Sequence, residues 1–380
     1  MHPSFETWYA QQLDTLREHH LLRTVRPRAE MPQLQFCSND YLGLSDHPKL
    51  KAAAIKSIEE NGIGSGGSRL VSGTFKEHMA LETEVASWIG KESAILFNSG
   101  YHAGVGLLPA LAAGGVIFSD ELNHASLIDG SRLTRAEICI YRHNDIEHLK
   151  FLLKNRADRF PKWIVSESIF GMEGETAYLQ EMIELKYAYK AAILLDEAHG
   201  IGVYGEKGAG WHEETGLTDE IDLILGTFSK ACGSFGGFAA GNKLVISYLQ
   251  NKARSFIFTT ALPPLIAAVN LEAIKLLQSM REERAQLRKT AKKVRETLTN
   301  LGFEVRGEDA PIIPVIFGDA ETAVAFSETL IAQGVWVQPI RPPTVPPGTS
   351  RLRITLSARH TEQDIEKLLR IFQESLQTTA

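Results

Sequence analysis

Between residues 77 and 250 the chain alternates short apolar runs with helical ones, and the apolar runs end in polar residues and glycine. Strand-like runs fall at 93–97, 116–119, 163–167, 192–196 and 222–226. This alternation predicts a mostly parallel sheet flanked by helices, because parallel strands need crossover connections. In an open α/β sheet of that kind, sites form where the strands end.

The flanks extend the pattern. Residues 5–22 read as an amphipathic helix, 23–32 as an arm rich in arginine and proline, and 48–60 as a helix. A charged stretch at 272–300 without glycine or proline predicts one long helix leaving the large domain. Strands are expected at 311–317, 335–337 and 351–357, and a closing helix at 362–376. The expected organisation is an N-terminal helix and arm over 1–45, a large α/β domain over 46–275, and a linking helix with a small α+β domain over 276–380. A chain of 380 residues is long for a single core, in keeping with that division.

Composition narrows the function classes. Hydrophobic residues at 44% and charged ones at 23% are ordinary for a soluble globular protein. A net charge of −6 argues against an extended nucleic-acid footprint. Cys37, Cys139 and Cys232 are widely spaced with no CxxC, which fits reduced thiols in a cytoplasmic protein and no metal site. The N-terminus has no basic region followed by an apolar one, and the most apolar stretch, 103–118, is shorter than the ~20 residues a spanning helix needs. No membrane association is expected.

Two strand ends carry the chemistry. Lys230 follows the run at 222–226, and Asp196-Glu-Ala-His199-Gly200 closes the run about one βαβ step earlier. An amine, a carboxylate and an imidazole brought to one sheet edge suit pyridoxal phosphate (PLP). The lysine forms a Schiff base, the aspartate pairs with the pyridine nitrogen, and the histidine meets the ring's phenolic oxygen. The cofactor's phosphate needs amide N–H groups at a helix start and hydroxyls, and Gly100, Tyr101, Thr227 and Ser229 offer them. His124, after the run at 116–119, is placed to stack on the ring. Arg341 is a candidate to hold an amino-acid carboxylate. Arg351 and Arg353 alternate in a strand and are read as facing solvent or a carboxylate partner. Two GxGxxG matches, at 62–67 and 200–205, lack the strand-to-helix context of a dinucleotide site, so hydride transfer is disfavoured.

These residues sit in longer motifs: Ser38-Asn39-Asp-Tyr-Leu-Gly43, Gly64-Ser-Gly-Gly-Ser-Arg69, Asn123-His-Ala-Ser126, Asp196-Glu-Ala-His-Gly200, Gly226-Thr-Phe-Ser-Lys230, Phe258-Thr-Thr-Ala-Leu-Pro-Pro264 and Ile340-Arg-Pro-Pro-Thr344-Val-Pro346. In that order, spanning nearly the whole chain, they resemble the α-oxoamine synthases, a branch of the fold-type I PLP-dependent transferases. The likeness is strongest to the member that serves biotin biosynthesis. It implies decarboxylative condensation of L-alanine with pimeloyl-CoA or a pimeloyl-acyl-carrier protein, in a homodimer with its site at the interface. It implies Lys230, His124, Asp196 and His199 as catalytic residues, and Gly100, Tyr101, Thr227 and Ser229 at the cofactor, with Thr259 or Thr260 added from the partner subunit. Arg23 would meet the distal pimeloyl carboxylate, Asn39 the substrate side of the ring, and Arg341 with Thr344 the substrate. One position departs from the pattern: Gly171 stands where the family usually has serine, so altered cofactor tuning is expected rather than loss of activity. A glycine-and-acetyl-CoA ligase of the same family and a non-catalytic partner subunit are the alternative readings.

Overall fold

The computed structural model describes residues 1–377; the last three residues of the expected small domain, 378–380, lie outside the described residues. The chain divides into two compact units. One comprises Asp40–Gly171 and Thr176–Ala285, the other Met1–Asn39, Met172–Glu175 and Gln286–Ala380.

The larger unit is built on seven strands: β1 (Ser93–Phe97), β2 (Val116–Asp120), β3 (Glu137–Tyr141), β4 (Lys162–Glu167), β5 (Ala192–Asp196), β6 (Leu223–Thr227) and β7 (Gly237–Gly241). Their order across the sheet is β1-β7-β6-β5-β4-β2-β3. All run parallel except β7, which pairs antiparallel with both β1 and β6. Every residue of β2, β4 and β6 is buried, which is why these strands read as continuous apolar runs rather than alternating ones. One core packs Ile95, Phe97, Ile117, Val165, Leu194 and Leu225 of the sheet against Leu107 and Leu108 of the helix Gly100–Leu111.

The smaller unit carries a second sheet of β8 (Glu304–Val305), β9 (Ile312–Gly318), β10 (Gln338–Ile340) and β11 (Ser350–Thr355), ordered β10-β11-β9-β8 and antiparallel throughout. The helix Glu362–Gln377 closes it.

Several expected elements differ. The helix over 5–22 ends at Glu18, and its apolar residues Phe5, Trp8, Tyr9, Leu13 and Leu16 are all exposed. The single helix over 272–300 is two, Pro264–Ser279 and Arg281–Asn300. The break at Met280 is stabilised by buried Arg284, whose guanidinium donates to Leu277 O and Glu206 O at 2.5 Å each. It thereby gives a second donor to the Leu277 carbonyl, which also accepts the Met280 N–H at 3.1 Å. The strand expected at 335–337 lies at Gln338–Ile340, with Trp336 forming only an isolated bridge to Gln35. Strands β3 and β7 were not anticipated at all. Neither GxGxxG match opens a helix: the first begins at the end of Pro48–Asn61, and the second forms consecutive turns.

Candidate active site

Because β1, β2, β4, β5 and β6 point the same way, their C-terminal ends deliver Asn98, His124, Glu167, Asp196 and Lys230 to one edge of the larger unit. Asp196 ends β5 and is buried, its Oδ1 accepting the Ala198 N–H at 2.9 Å. Burial raises its pKa, opposed by the charges of Lys230 and His124. Lys230 therefore lies close enough for its ammonium to stabilise the carboxylate.

His199 is buried three residues further on, and its Nδ1 shares a 2.6 Å hydrogen bond with the Tyr41 hydroxyl. Its ring occupies the space next to Gly171. A Cβ on residue 171 would fall 2.8 Å from His199 Cδ2 and closer still to Nε2, so a side chain there must displace the imidazole. His124 caps the helix Ala125–Arg132, its Nδ1 accepting the Ser126 N–H at 3.3 Å, which assigns the ring proton of the neutral form to Nε2. Part of its surface is open to solvent, yet desolvation by the surrounding protein pushes its pKa down, opposed by Asp196 and reinforced by Lys230.

Beside these groups the helix Gly100–Leu111 starts at Ser99. A Cβ at Gly100 would sit 3.3 Å from the Thr227 Cβ, and Thr227 Oγ1 lies 2.7 Å from Ser229 Oγ. Hydroxyls thus converge on a helix N-terminus where glycine keeps the backbone accessible. The Tyr101 hydroxyl donates to Asp129 Oδ2 at 2.5 Å, so Tyr101 offers this corner its backbone N–H rather than its phenol. Thr259 and Thr260 are held by Asn98 of their own chain, through Oγ1 at 3.2 Å and the backbone carbonyl at 2.9 Å.

The remaining expected residues lie in the smaller unit. Arg23 Nη2 donates to Thr344 Oγ1 at 3.1 Å, and the Arg341 guanidinium donates to the backbone carbonyls of His20 and Leu22. Arg23, Arg341 and Thr344 line one cavity of about 350 Å³ with Trp336 and Glu328. Burial, then the charge of Arg23, lowers the Arg341 pKa, as expected where two cations share a wall. Asn39 stands apart from that cavity's polar cluster: its Oδ1 accepts from Arg353 Nη1 at 3.0 Å. Contrary to the solvent-facing reading, both strand arginines are buried. Arg351 pairs with Glu173 at 2.6 Å, and Arg353 donates to the neutral acceptors Asn39 and Thr355.

A family model described as aminotransferase class I and II matches residues 31–372. The 8-amino-7-oxononanoate synthase of Geotalea daltonii is 44% identical over 375 residues, covering 94% of this chain and 95% of its own. The chain belongs to the α-oxoamine synthases. Among solved structures, a high-resolution SPT (serine palmitoyltransferase) with PLP is similar at TM-score 0.90 and 32% identity, covering 99% of this chain and 98% of that one. The 8-amino-7-oxononanoate synthase of Francisella tularensis is similar at TM-score 0.80 and 26% identity, covering 92% and 99%. The seven-stranded sheet is accordingly that of a fold-type I PLP-dependent transferase.

The donor set of this α-oxoamine synthase fits such a cofactor. A helix N-terminus with the Thr227 and Ser229 hydroxyls suits a phosphate dianion, and buried Asp196 suits a protonated ring nitrogen. Sequence reasoning passed over Glu167 and Tyr41 as site residues. Glu167 carried the same signal as Asp196, a carboxylate closing a buried parallel strand; Tyr41 lies 158 residues from His199, with no local signal.

Proposed function

We propose that the chain condenses L-alanine with a pimeloyl thioester, with loss of CO2 and release of the free thiol, to give 8-amino-7-oxononanoate for biotin biosynthesis. The observation that carries this reading is the convergence of Lys230, Asp196, His199 and His124 on one sheet edge beside a glycine-opened helix N-terminus. Bound PLP supplies an electron sink for the amino-acid α-carbon.

The chain's own groups supply the rest. Lys230 Nζ would hold the cofactor and, as the free amine, would remove the α-proton of the bound amino acid. After CO2 leaves, the same nitrogen returns a proton to that carbon. The Asp196 carboxylate keeps the ring nitrogen protonated, and His199 serves the phenolic oxygen. Gly100, Tyr101, Thr227 and Ser229 hold the phosphate, through backbone N–H groups and hydroxyls. His124 would stack on the ring and would assist the acyl step with its Nε2–H.

Arg341 is a candidate for the carboxylate that is later lost. Arg353 is a second one: it is buried and donates to Asn39, the residue expected on the substrate side of the ring. Asn39, which accepts from Arg353, would adjust that group. Arg23 and Thr344 line a cavity able to take a distal carboxylate, which favours a dicarboxylic acyl chain. The acyl donor is pimeloyl-CoA or a pimeloyl-acyl-carrier protein. A homodimer that lends Thr259 or Thr260 to the neighbouring site completes the reading.

The test is product formation from L-alanine with pimeloyl-CoA, set beside glycine with acetyl-CoA. Arg23→Ala should raise the KM for the pimeloyl donor by about tenfold or more, the equivalent of one lost charge-assisted hydrogen bond. Turnover with glycine and acetyl-CoA alone, unaffected by Arg23→Ala, would transfer the assignment to the ligase.

A further inference from the structure

Glu167 and Asp196 are the last residues of adjacent parallel strands and stand opposite each other in register. Both are buried. Two carboxylates taken out of water side by side cannot both carry charge at modest cost, so such a pair retains a proton. Its location follows from the surrounding charges. Lys230, after β6, acts on both carboxyls, while His124, after β2, and Glu197, after β5, act on Asp196. The cations lower Asp196, and a protonated ring nitrogen beside it lowers it further. Burial raises both carboxyls, but at Glu167 burial and the Asp196 charge outweigh Lys230 and the amide donors and push it up to about 8. Its carboxyl also takes the Gly171 N–H at Oε2, 3.2 Å away, and the His124 N–H. One amide belongs to His124, which caps the helix Ala125–Arg132, and the other to Gly171, whose backbone His199 rests against.

We propose that Glu167 is a positioning residue that holds the one proton of a buried carboxyl pair with Asp196, anchoring the His124 and Gly171 loops while Asp196 remains the pair's anion. It rests on the PLP reading only for the role of Asp196. A neutral acid keeps carbonyl acceptor capacity for the two amides and adds no second negative charge under the ring. With rising pH the sign is definite. The folded state holds a proton on Glu167 that the unfolded state has already lost, so stability declines from the ordinary glutamate range up to about 8 and levels off above it.

The test is infrared spectroscopy of the cofactor-free and PLP-loaded protein, with glutamate carrying 13C at its side-chain carboxyl. A protonated-carboxyl band that shifts with the label, is present at neutral pH and fades through about pH 8 is expected. Its absence at neutral pH overturns the proposal, without need of any variant. Glu167→Gln mimics the neutral acid: it should lack the band and bind PLP within about twofold of wild type at neutral pH. It should also remove the decline in the thermal midpoint between the ordinary glutamate range and about pH 8. Glu167→Ala, which drops the amide anchors, should weaken PLP binding about tenfold. A glutamine variant as weak as the alanine one, or one that keeps the band, also overturns it. A colourless protein that nonetheless shows the glutamate band would sink the PLP reading and uphold the proton on Glu167.

Discussion

Placing serine at Gly171 tests how the imidazole of His199 is held. The backbone at 171 does not have positive φ, so the constraint is spatial rather than conformational. A Cβ there lies 2.8 Å from His199 Cδ2 and nearer to Nε2, whereas carbon contacts settle at about 3.5–4.0 Å. The ring must retreat by roughly 1 Å. It is held on its other side by the 2.6 Å bond to Tyr41, itself fully buried, so either that bond breaks or Tyr41 moves with the ring. Overpacking a core costs about 1–3 kcal/mol and losing a buried hydrogen bond a further ~1–3 kcal/mol, so Gly171→Ser should destabilise by about 2–6 kcal/mol. Urea unfolding of the cofactor-free protein measures this, and a double-mutant cycle with Tyr41→Phe locates it. If the serine already breaks the tyrosine bond, the two substitutions together should cost less than their sum by about 1 kcal/mol or more. Additivity within about 0.5 kcal/mol, or a Gly171→Ser protein as stable as wild type, would refute the reasoning.

Other outcomes follow from the same geometry. Lys230→Ala should lower turnover by about 10³-fold or more while still binding PLP. After borohydride reduction and denaturation the wild type should retain the cofactor covalently and the variant release it. Glu173→Gln leaves buried Arg351 without its 2.6 Å ion partner and should cost about 3–5 kcal/mol in denaturant unfolding, with the double change Glu173→Gln, Arg351→Met recovering much of it. Glu197 accepts from the Ser168 hydroxyl, the Trp211 and His212 N–H groups and the His212 ring, at 2.6–3.1 Å. Burial works against its ionised form, but these partners hold its pKa below the usual range. Its stabilisation should thus be complete above about pH 4.3 and lost as pH falls through the folded value, and Glu197→Gln should flatten acid unfolding in that window.

The strands were legible where burial on both faces leaves a plain apolar run, as in Ile164–Val165 of β4 and Ile193–Leu195 of β5. They were illegible where packing replaced hydrophobicity as the signal. In β3, Ile138 and Ile140 are exposed at the sheet edge; in β7, only Phe238 is large, because a Cβ at Gly237 would press within 2.6 Å of the Gly100 nitrogen. The break at Met280 also depends on Arg284 reaching the Glu206 carbonyl, 78 residues away, which no local window of sequence contains.

The same division runs through the site. Residue type and strand-end position were enough to single out Lys230, Asp196, His199 and His124, because parallel strands deliver their ends to one edge whatever the loops do. Chemistry of the PLP kind was therefore already written in the order of those residues. The tertiary structure alone decided which of them are coupled: Glu167 to Asp196 across one strand register, His199 to Tyr41 and to the space at Gly171, Arg351 to Glu173. Such pairings arise from distances between residues far apart in the chain and from loss of water around them. Sequence pattern encodes which groups are present and on which face; burial and proximity set how strongly they act on one another.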